Sequence, residues 1–203
     1  MAKHPAILAN ANVAARIGEA ILRYVRRIPA SSEKKSRTPR QAARSRGNSA
    51  AAKAALAAGG LALPPGPLGW LTILPELAAV WRIQSQMVAD IAALYGRKST
   101  LTEEQMVYCL FRHSAAQAVR DLVVRTGERF LVRQASVELL QSVAKKIGVK
   151  LSRKVIGKGL SRWIPVVGAV GVGAYAFYDT AQVAATAIEL FEREIVVESL
   201  PEA

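Results

Sequence analysis

Cysteine, histidine and acidic residues are scarce in this chain, and each shortage excludes a class of site. A single cysteine, Cys109, cannot form an intramolecular disulfide and fits a reducing compartment. With only two histidines, the sequence also lacks the clusters that hold zinc, and it contains no HExxH motif. No pair of carboxylates is placed for acid–base catalysis. We therefore predict a protein that is not an enzyme and that uses no metal and no cofactor.

Acidic residues are also few relative to basic ones, 15 against 28, which gives a net charge of +13. The excess lies in two blocks: residues 1–50 hold 11 Lys and Arg against 2 Asp and Glu, and residues 112–162 hold 12 against 3. Mean hydropathy is nevertheless positive, +0.18, because long apolar segments separate and follow these blocks. Basic blocks bind phosphodiesters or lipid headgroups. Their separation from apolar segments favours a membrane surface over nucleic acid.

The first apolar segment runs from Gly59 to Gly96 and begins with a cluster of glycine and proline residues. After Pro75 its apolar residues recur at helical spacing, which predicts an amphipathic helix. These residues are Leu77, Val80, Trp81, Val88, Ile91 and Leu94. A segment of this kind packs against other helices or inserts into an apolar phase.

The second apolar segment, Trp163 to Ile188, contains one ionisable residue, Asp179, and is long enough to span a bilayer. Three interpretations fit it: a spanning helix, a half-inserted hairpin, or a helix buried in the core. We expect its glycines at 168, 171 and 173 to let another helix approach closely. These helix-packing residues are Gly168, Gly171 and Gly173.

Glu76 and Asp179 are the acidic residues within the two apolar segments. A buried carboxylate needs a partner, because an unpaired charge is costly in an apolar environment. We predict that one of them pairs across the helices with Arg82 or Arg162.

The basic blocks predict surfaces for an anionic partner. Residues 1–49 predict a helix from Pro5 to Arg27, followed by a polar, mobile linker, with a new helix from Ala50. Without aromatic residues for base stacking, this linker matches a solvated segment better than a nucleic-acid arm. Between residues 149 and 163, cations every four residues predict a basic amphipathic helix. The expected anion-binding residues are Arg23, Arg26, Arg27, Lys34, Lys35, Arg37, Lys150, Arg153, Lys154, Lys158 and Arg162.

Two short patterns suggest chemistry that the rest of the chain does not support. Residues 171–176 match the G-x-G-x-x-A pattern of dinucleotide sites, but such a site needs a preceding strand and further parallel strands. Cys109 and His113 are four residues apart on one helix face and could share a metal or form a nucleophile–base pair. Because further ligands are lacking, we favour a buried thiol near an interfacial imidazole.

Two blocks of the sequence resemble the EcsC family of bacterial proteins, over roughly residues 50–195. The residues that carry the resemblance are Pro75-Glu76, Arg82-Ile83-Gln84, the run from Ile91 to Gly96, and the run from Ile164 to Ala169. The resemblance implies an all-helical fold without established catalytic residues. The family is named for a protein encoded beside components of an ABC transporter.

Together these patterns predict an all-α fold, a helical bundle with two apolar, Gly/Pro-punctuated helical segments and a basic N-terminal arm. We expect residues 1–49 to form the arm, residues 50–198 an EcsC-like domain, and residues 199–203 a tail. The expected role is binding or scaffolding at the cytoplasmic face of the bacterial inner membrane, peripheral or partly inserted, in a transport or envelope system. Anionic lipid is the expected partner, and a protein partner is a further expectation.

Two alternatives remain open from the sequence. The first is a soluble helical protein that binds nucleic acid through its basic arm. The second is a protein that binds a lipid or another apolar ligand in a cavity between its helices.

Overall fold

In a computed structural model the chain forms a bundle of α-helices with a small sheet at its side. The structure describes residues 5–61, 69–157 and 165–198, without the side chains of residues 5–13, 25, 61, 69–74, 76, 151–157 and 165–169. The helices are α1 (Pro5–Val25), α2 (Pro39–Leu61), α3 (Gly69–Leu94), α4 (Glu103–Val119), α5 (Val137–Gly157) and α6 (Pro165–Glu192). The strands are β1 (Val123–Thr126), β2 (Arg129–Arg133) and β3 (Glu194–Glu198).

The predicted all-α fold is confirmed, with a three-stranded sheet as an addition. β1 pairs antiparallel with β2 through a two-residue turn in which Gly127 has φ +59°, and β2 pairs parallel with β3. The apolar spacing of residues 130–147 also fits a continuous helix, but β2 continues to Arg133 and α5 begins at Val137. At the other end of the sheet, α6 ends at Glu192, where strand β3 follows.

The segment after α1 packs against α3. The Ser31 hydroxyl donates to the Asp90 carboxylate at 2.7 Å, and the Ser36 amide donates to the carbonyl of Leu94 at 3.0 Å. The prediction of a linker up to residue 49 is wrong for residues 39–49, because Pro39 occupies the first position of α2, a favoured place for proline.

Helix α2 lies antiparallel against α6, and contacts between small residues hold them together. A Cβ atom on Gly173 would lie 3.0 Å from the carbonyl oxygen of Ala55, and a Cβ on Gly47 would lie 2.7 Å from the Cβ of Ala184. Helix α3 runs parallel to α6, since residue 84 contacts residues 179 and 180 while residue 80 packs with residue 176. The C-terminal end of α2 therefore lies beside the N-terminal ends of α3 and α6.

The main core fills the space between α1, α3, α4, α5, α6 and the sheet. Its largest fully buried apolar side chains are Phe130, Phe191, Ile17, Ile21, Met87, Ile91, Met106, Leu122, Ile147 and Leu190. Helices α1 and α5 also meet through small residues, with Gly18 facing Ala144 and Gly148 facing Ala14. Such contacts allow helix backbones to approach more closely than larger side chains would permit.

We predict that Gly148→Ala destabilises the protein while Gly171→Ala does not. A Cβ at residue 148 would collide with the main-chain carbonyl of Ala14, whereas a Cβ at residue 171 meets no atom within 4 Å. Overpacking costs about 1–3 kcal/mol, while alanine gains about 1 kcal/mol over glycine within a helix. Urea unfolding of the two variants measures the difference. Equal changes in the free energy of unfolding would contradict the close α1–α5 contact.

Candidate functional site

A cluster of polar side chains joins α3, α4 and α6, and we call it the polar junction: Gln84, His113, Asp179 and Thr180. His113 Nε2 lies 2.6 Å from Asp179 Oδ1, and Gln84 Nε2 donates to Asp179 Oδ2 at 2.8 Å. The same Gln84 amide donates to Thr180 Oγ1 at 3.1 Å. Both carboxylate oxygens of Asp179 are thus bonded, one to α4 and one to α3.

The junction corrects the predicted pairing of the acidic residues in the apolar segments. Asp179 pairs with His113 and Gln84, and the Arg82 side chain is exposed to solvent. The prediction of an Asp179–Arg82 pair is therefore wrong, because α4 crosses α6 at this point and brings the imidazole to the carboxylate. The side chain of Glu76, and residue Arg162 as a whole, lie outside the described residues.

The imidazole of His113 connects α4 to α6 through one of its two nitrogens. Its Nε2 is bonded to Asp179, while its Nδ1 is buried and, like Gln84 Oε1, has no hydrogen-bond partner among the described residues. An acid–base catalyst must offer one nitrogen to a substrate while the other is oriented by its partner. Because Nδ1 points into the protein, the geometry of the junction favours a structural role for the pair.

The neighbouring cysteine is equally inaccessible. Cys109 is fully buried, and this burial raises the pKa of its thiol well above the ordinary value. Within the described ranges, no three His, Cys, Asp or Glu side chains are grouped so that they could hold a metal ion. The geometry thus gives no support to a Cys109–His113 metal or catalytic site.

The described parts of α2, α3 and α6 meet at one end of the bundle, which we call the apolar end: residues 54–61, 69–81 and 165–178. An open groove of about 670 Å³ runs between α2 and α6 there. Its lining residues are Ala55, Leu56, Gly59, Gly60, Val170, Gly173, Ala174 and Phe177. Leu56 is 77% exposed and Val170 67%, and Tyr175, Phe177 and Tyr178 are exposed beside them. The surface is therefore both apolar and accessible.

The predicted packing glycines differ in their surroundings. Gly173 lies against α2, as expected, and it is buried. Gly171 is exposed, and a Cβ atom there would meet no atom of the described residues within 4 Å, so its predicted packing role is wrong. The surroundings of Gly168 lie outside the description. Residues 171–176 lie within α6, which excludes the strand-loop-helix geometry of a dinucleotide site.

The structure describes the side chains of seven of the predicted anion-binding residues. Those whose side chains are described are all exposed: Arg23, Arg26, Arg27, Lys34, Lys35, Arg37 and Lys150. Lys34, Lys35 and Arg37 flank Ser36, whose amide is bonded to the C-terminal end of α3, opposite the apolar end. The side chains of Arg153 and Lys154, and residues Lys158 and Arg162, lie outside the described residues.

Several residues of these sites were not predicted from the sequence. Gln84 and Thr180 are polar residues at buried positions of largely apolar helices. Because buried polar groups need hydrogen-bond partners, their place among apolar residues could have indicated a polar cluster. The exposure of Tyr175 and Tyr178 could not be inferred, since both occur in a continuous apolar segment. As for that segment, none of the helices, searched over the described ranges, combines the length and apolarity that a membrane crossing requires.

We predict that Asp179→Asn lowers the free energy of unfolding by about 1–3 kcal/mol, the range for hydrogen bonds to a charged group that is largely buried. Asp121→Asn is the matched control, because its pair with Arg120 is exposed on both sides and should change stability by less than about 0.5 kcal/mol. Chemical denaturation measures both. A double-mutant cycle between Asp179 and His113 should show coupling, and strictly additive effects would argue against the junction.

We predict that Cys109 does not react with iodoacetamide in the folded protein at neutral pH. Burial raises the thiol pKa, so the reactive thiolate is depleted, and the sulfur is also shielded from the reagent. Mass spectrometry should detect alkylation only after denaturant is added. Rapid alkylation of the native protein would mean that α4 opens at this position.

Comparison with known proteins identifies the family. The model of the EcsC protein family matches residues 31–194. A search of curated proteins found no match, and a search of solved structures found none either. The matched range begins earlier than residue 50, the predicted start, and it includes the segment along α3 and the whole of α2. Because the match extends over most of the chain, the protein belongs to the EcsC family.

Proposed function

We propose that this protein acts without catalysing a reaction, as a membrane-associated binding or scaffolding protein at the cytoplasmic face of the bacterial inner membrane. The observation that carries the proposal is the apolar end, where α2 and α6 present exposed apolar side chains around an open groove. The family resemblance adds a setting to the proposal, a transport or envelope system.

The exposed side chains at the apolar end are costly in water. Fully burying a leucine, valine or phenylalanine side chain contributes about 1.5–3 kcal/mol. Leu56, Val170 and Phe177 lie together on two adjacent helices rather than scattered singly. Contiguous exposed apolar surfaces of this kind mark membrane or partner contacts. Contact with lipid acyl chains would remove all three side chains from water at once.

A cation beside the apolar end supplies the second part of the proposal. Lys53 on α2 is exposed next to it. A Lys or Arg near an anionic membrane contributes about 1 kcal/mol. Lys34 and Lys35 would contribute less, since they lie near Leu94, about 18 Å along α3 from Arg82.

Binding of an apolar ligand is a second candidate, favoured by the groove itself. Its volume of about 670 Å³ lies within the range of small-molecule sites, and its lining is apolar. Lipid extracted from protein purified without detergent would support this candidate. Because an apolar ligand and a bilayer would both contact this apolar surface, a vesicle-binding measurement is needed to distinguish membrane association from ligand binding.

We predict that charged substitutions at the apolar end weaken binding to vesicles of phosphatidylglycerol and phosphatidylethanolamine. Leu56→Glu and Val170→Glu should each weaken binding at least about tenfold, since a charge in the hydrocarbon costs more than 1.4 kcal/mol. Leu139→Glu and Val137→Glu are matched controls, because both residues are exposed apolar side chains at the start of α5. Co-sedimentation measures all four variants.

Wild-type binding should be only partly released by high salt, because the apolar contact is not screened. Full release by salt alone would reduce the proposal to electrostatic adsorption. If wild-type protein does not sediment with these vesicles, the proposed membrane association is wrong.

A further inference from the structure

The charged residues of α2, α3 and α6 stop at one level of the bundle. In α2, Lys53 is the last ionisable residue, and none follows up to Leu61. In α6, Asp179 is the first Asp, Glu, Lys or Arg, and none precedes it from Pro165. In α3, Arg82 follows a stretch whose one such residue is Glu76. Apart from Glu76, each helix thus changes from apolar to charged at one position.

These three positions are neighbours in space, although they are far apart in sequence. Ala54, Ala58, Val80 and Ala176 form a small core cluster of their own, separate from the main core. Lys53 immediately precedes Ala54 on the antiparallel helix α2, while Arg82 follows Val80 by two residues and Asp179 follows Ala176 by three. All three charged residues therefore lie on the side of the cluster away from the apolar end. Immediately beyond it, Gln84 donates to Asp179 at 2.8 Å. The change from apolar to charged therefore occurs at a single level across all three helices.

Exposed tyrosines lie at this same level on α6. Tyr178, which immediately precedes Asp179, is 61% exposed, and Tyr175, four residues before Asp179, is 45% exposed. Burial, and next the Asp179 carboxylate, raise the pKa of Tyr175, so its phenol stays neutral. Tyrosine is enriched where hydrocarbon meets headgroups, because its ring is apolar and its hydroxyl needs a polar partner. The positions of Lys53, Arg82 and Asp179 and those of the two tyrosines are consistent with a single boundary between hydrocarbon and headgroups.

The length of the helices below this boundary sets a depth. At 1.5 Å per residue, α6 extends about 20 Å from Tyr178 to Pro165, and α3 extends about 20 Å from Arg82 to Gly69. The hydrocarbon core of a bilayer is about 30 Å thick. The apolar end is therefore deep enough to fill one leaflet and too short to cross both.

We infer that the apolar end enters the hydrocarbon of a single leaflet as a preformed three-helix unit, down to the level of Lys53, Arg82 and Asp179. The polar junction then lies at headgroup depth, and Tyr175 and Tyr178 lie at the interface. This inference rests on the proposed membrane association, and it specifies the lipid contact as monotopic insertion of folded helices. A second copy of the chain fits less well, since protein–protein contact would not require a common boundary of charge and tyrosine.

Nitroxide labels placed on both sides of the boundary test the inference. Leu56→Cys and Val170→Cys lie at the apolar end, while Asn48→Cys and Ala185→Cys are exposed positions on the same two helices beyond the boundary. Each is labelled in a Cys109→Ala background that still binds vesicles. Electron paramagnetic resonance compares collisions with oxygen, which concentrates in hydrocarbon, and with a water-soluble nickel chelate.

On vesicles of phosphatidylglycerol and phosphatidylethanolamine, labels at 56 and 170 should lose at least about tenfold of their nickel accessibility while gaining oxygen accessibility. Labels at 48 and 185 should remain accessible to nickel. Bound protein whose four labels all stay accessible would overturn insertion but leave surface association intact. Protection of all four would overturn the single-leaflet depth.

Two further outcomes separate this inference from the proposed function. Protein that fails to bind vesicles at all would overturn both. Protection at 56 and 170 that grows with protein concentration in the absence of vesicles would replace the leaflet with a second copy. Glu76→Gln adds an independent arm. It should bind vesicles at least as tightly as wild type, because Glu76 is the one Asp, Glu, Lys or Arg that α2, α3 and α6 carry between the boundary and the apolar tip. Weaker binding would contradict insertion.

Discussion

The close contact of α2 with α6 is the constraint on which the rest of the structure depends. Glycine and alanine on both helices bring the backbones together, as the short distance between Gly173 and the carbonyl of Ala55 shows. This contact gives little apolar area per residue, so it is sustained by the larger core on the other side of α6, around Leu190 and Phe191. It also fixes which residues of three helices share one level.

The polar junction and the apolar end follow from that arrangement. With α3 parallel to α6, Gln84 reaches Asp179, and α4 supplies His113 to the second carboxylate oxygen. The acidic residue of the second apolar segment, Asp179, therefore has hydrogen-bond partners within the bundle. Between Val170 and Asp179 no described side chain of α6 is an Asp, Glu, Lys or Arg, and Val170 is exposed. Helix association and the proposed membrane contact would thus use adjacent parts of the same helix.

Sequence periodicity predicted the helices well, and it failed where local signals were weak. The stripe from Leu77 to Leu94 gave α3, but the two-residue turn at Gly127 interrupts a region whose apolar spacing also fits a helix. The linker was misjudged at residues 39–49, because small residues such as Ala43 and Gly47 carry little hydrophobic signal even though α6 buries them. The sequence predicted that Asp179 needs a partner. The partner is His113 because α4 crosses α6 at this point, and residue spacing in the sequence does not predict where two helices cross.

The central claim is that an apolar surface, and not charge alone, holds the protein to a membrane. Fractionation of cells that produce it tests this most directly, with salt, carbonate and detergent washes applied in turn to the membrane pellet. The account predicts that the protein pellets with membranes, that high salt removes only part of it, and that detergent releases the remainder. Recovery of the whole protein in the soluble fraction, or its complete release by salt alone, would contradict it.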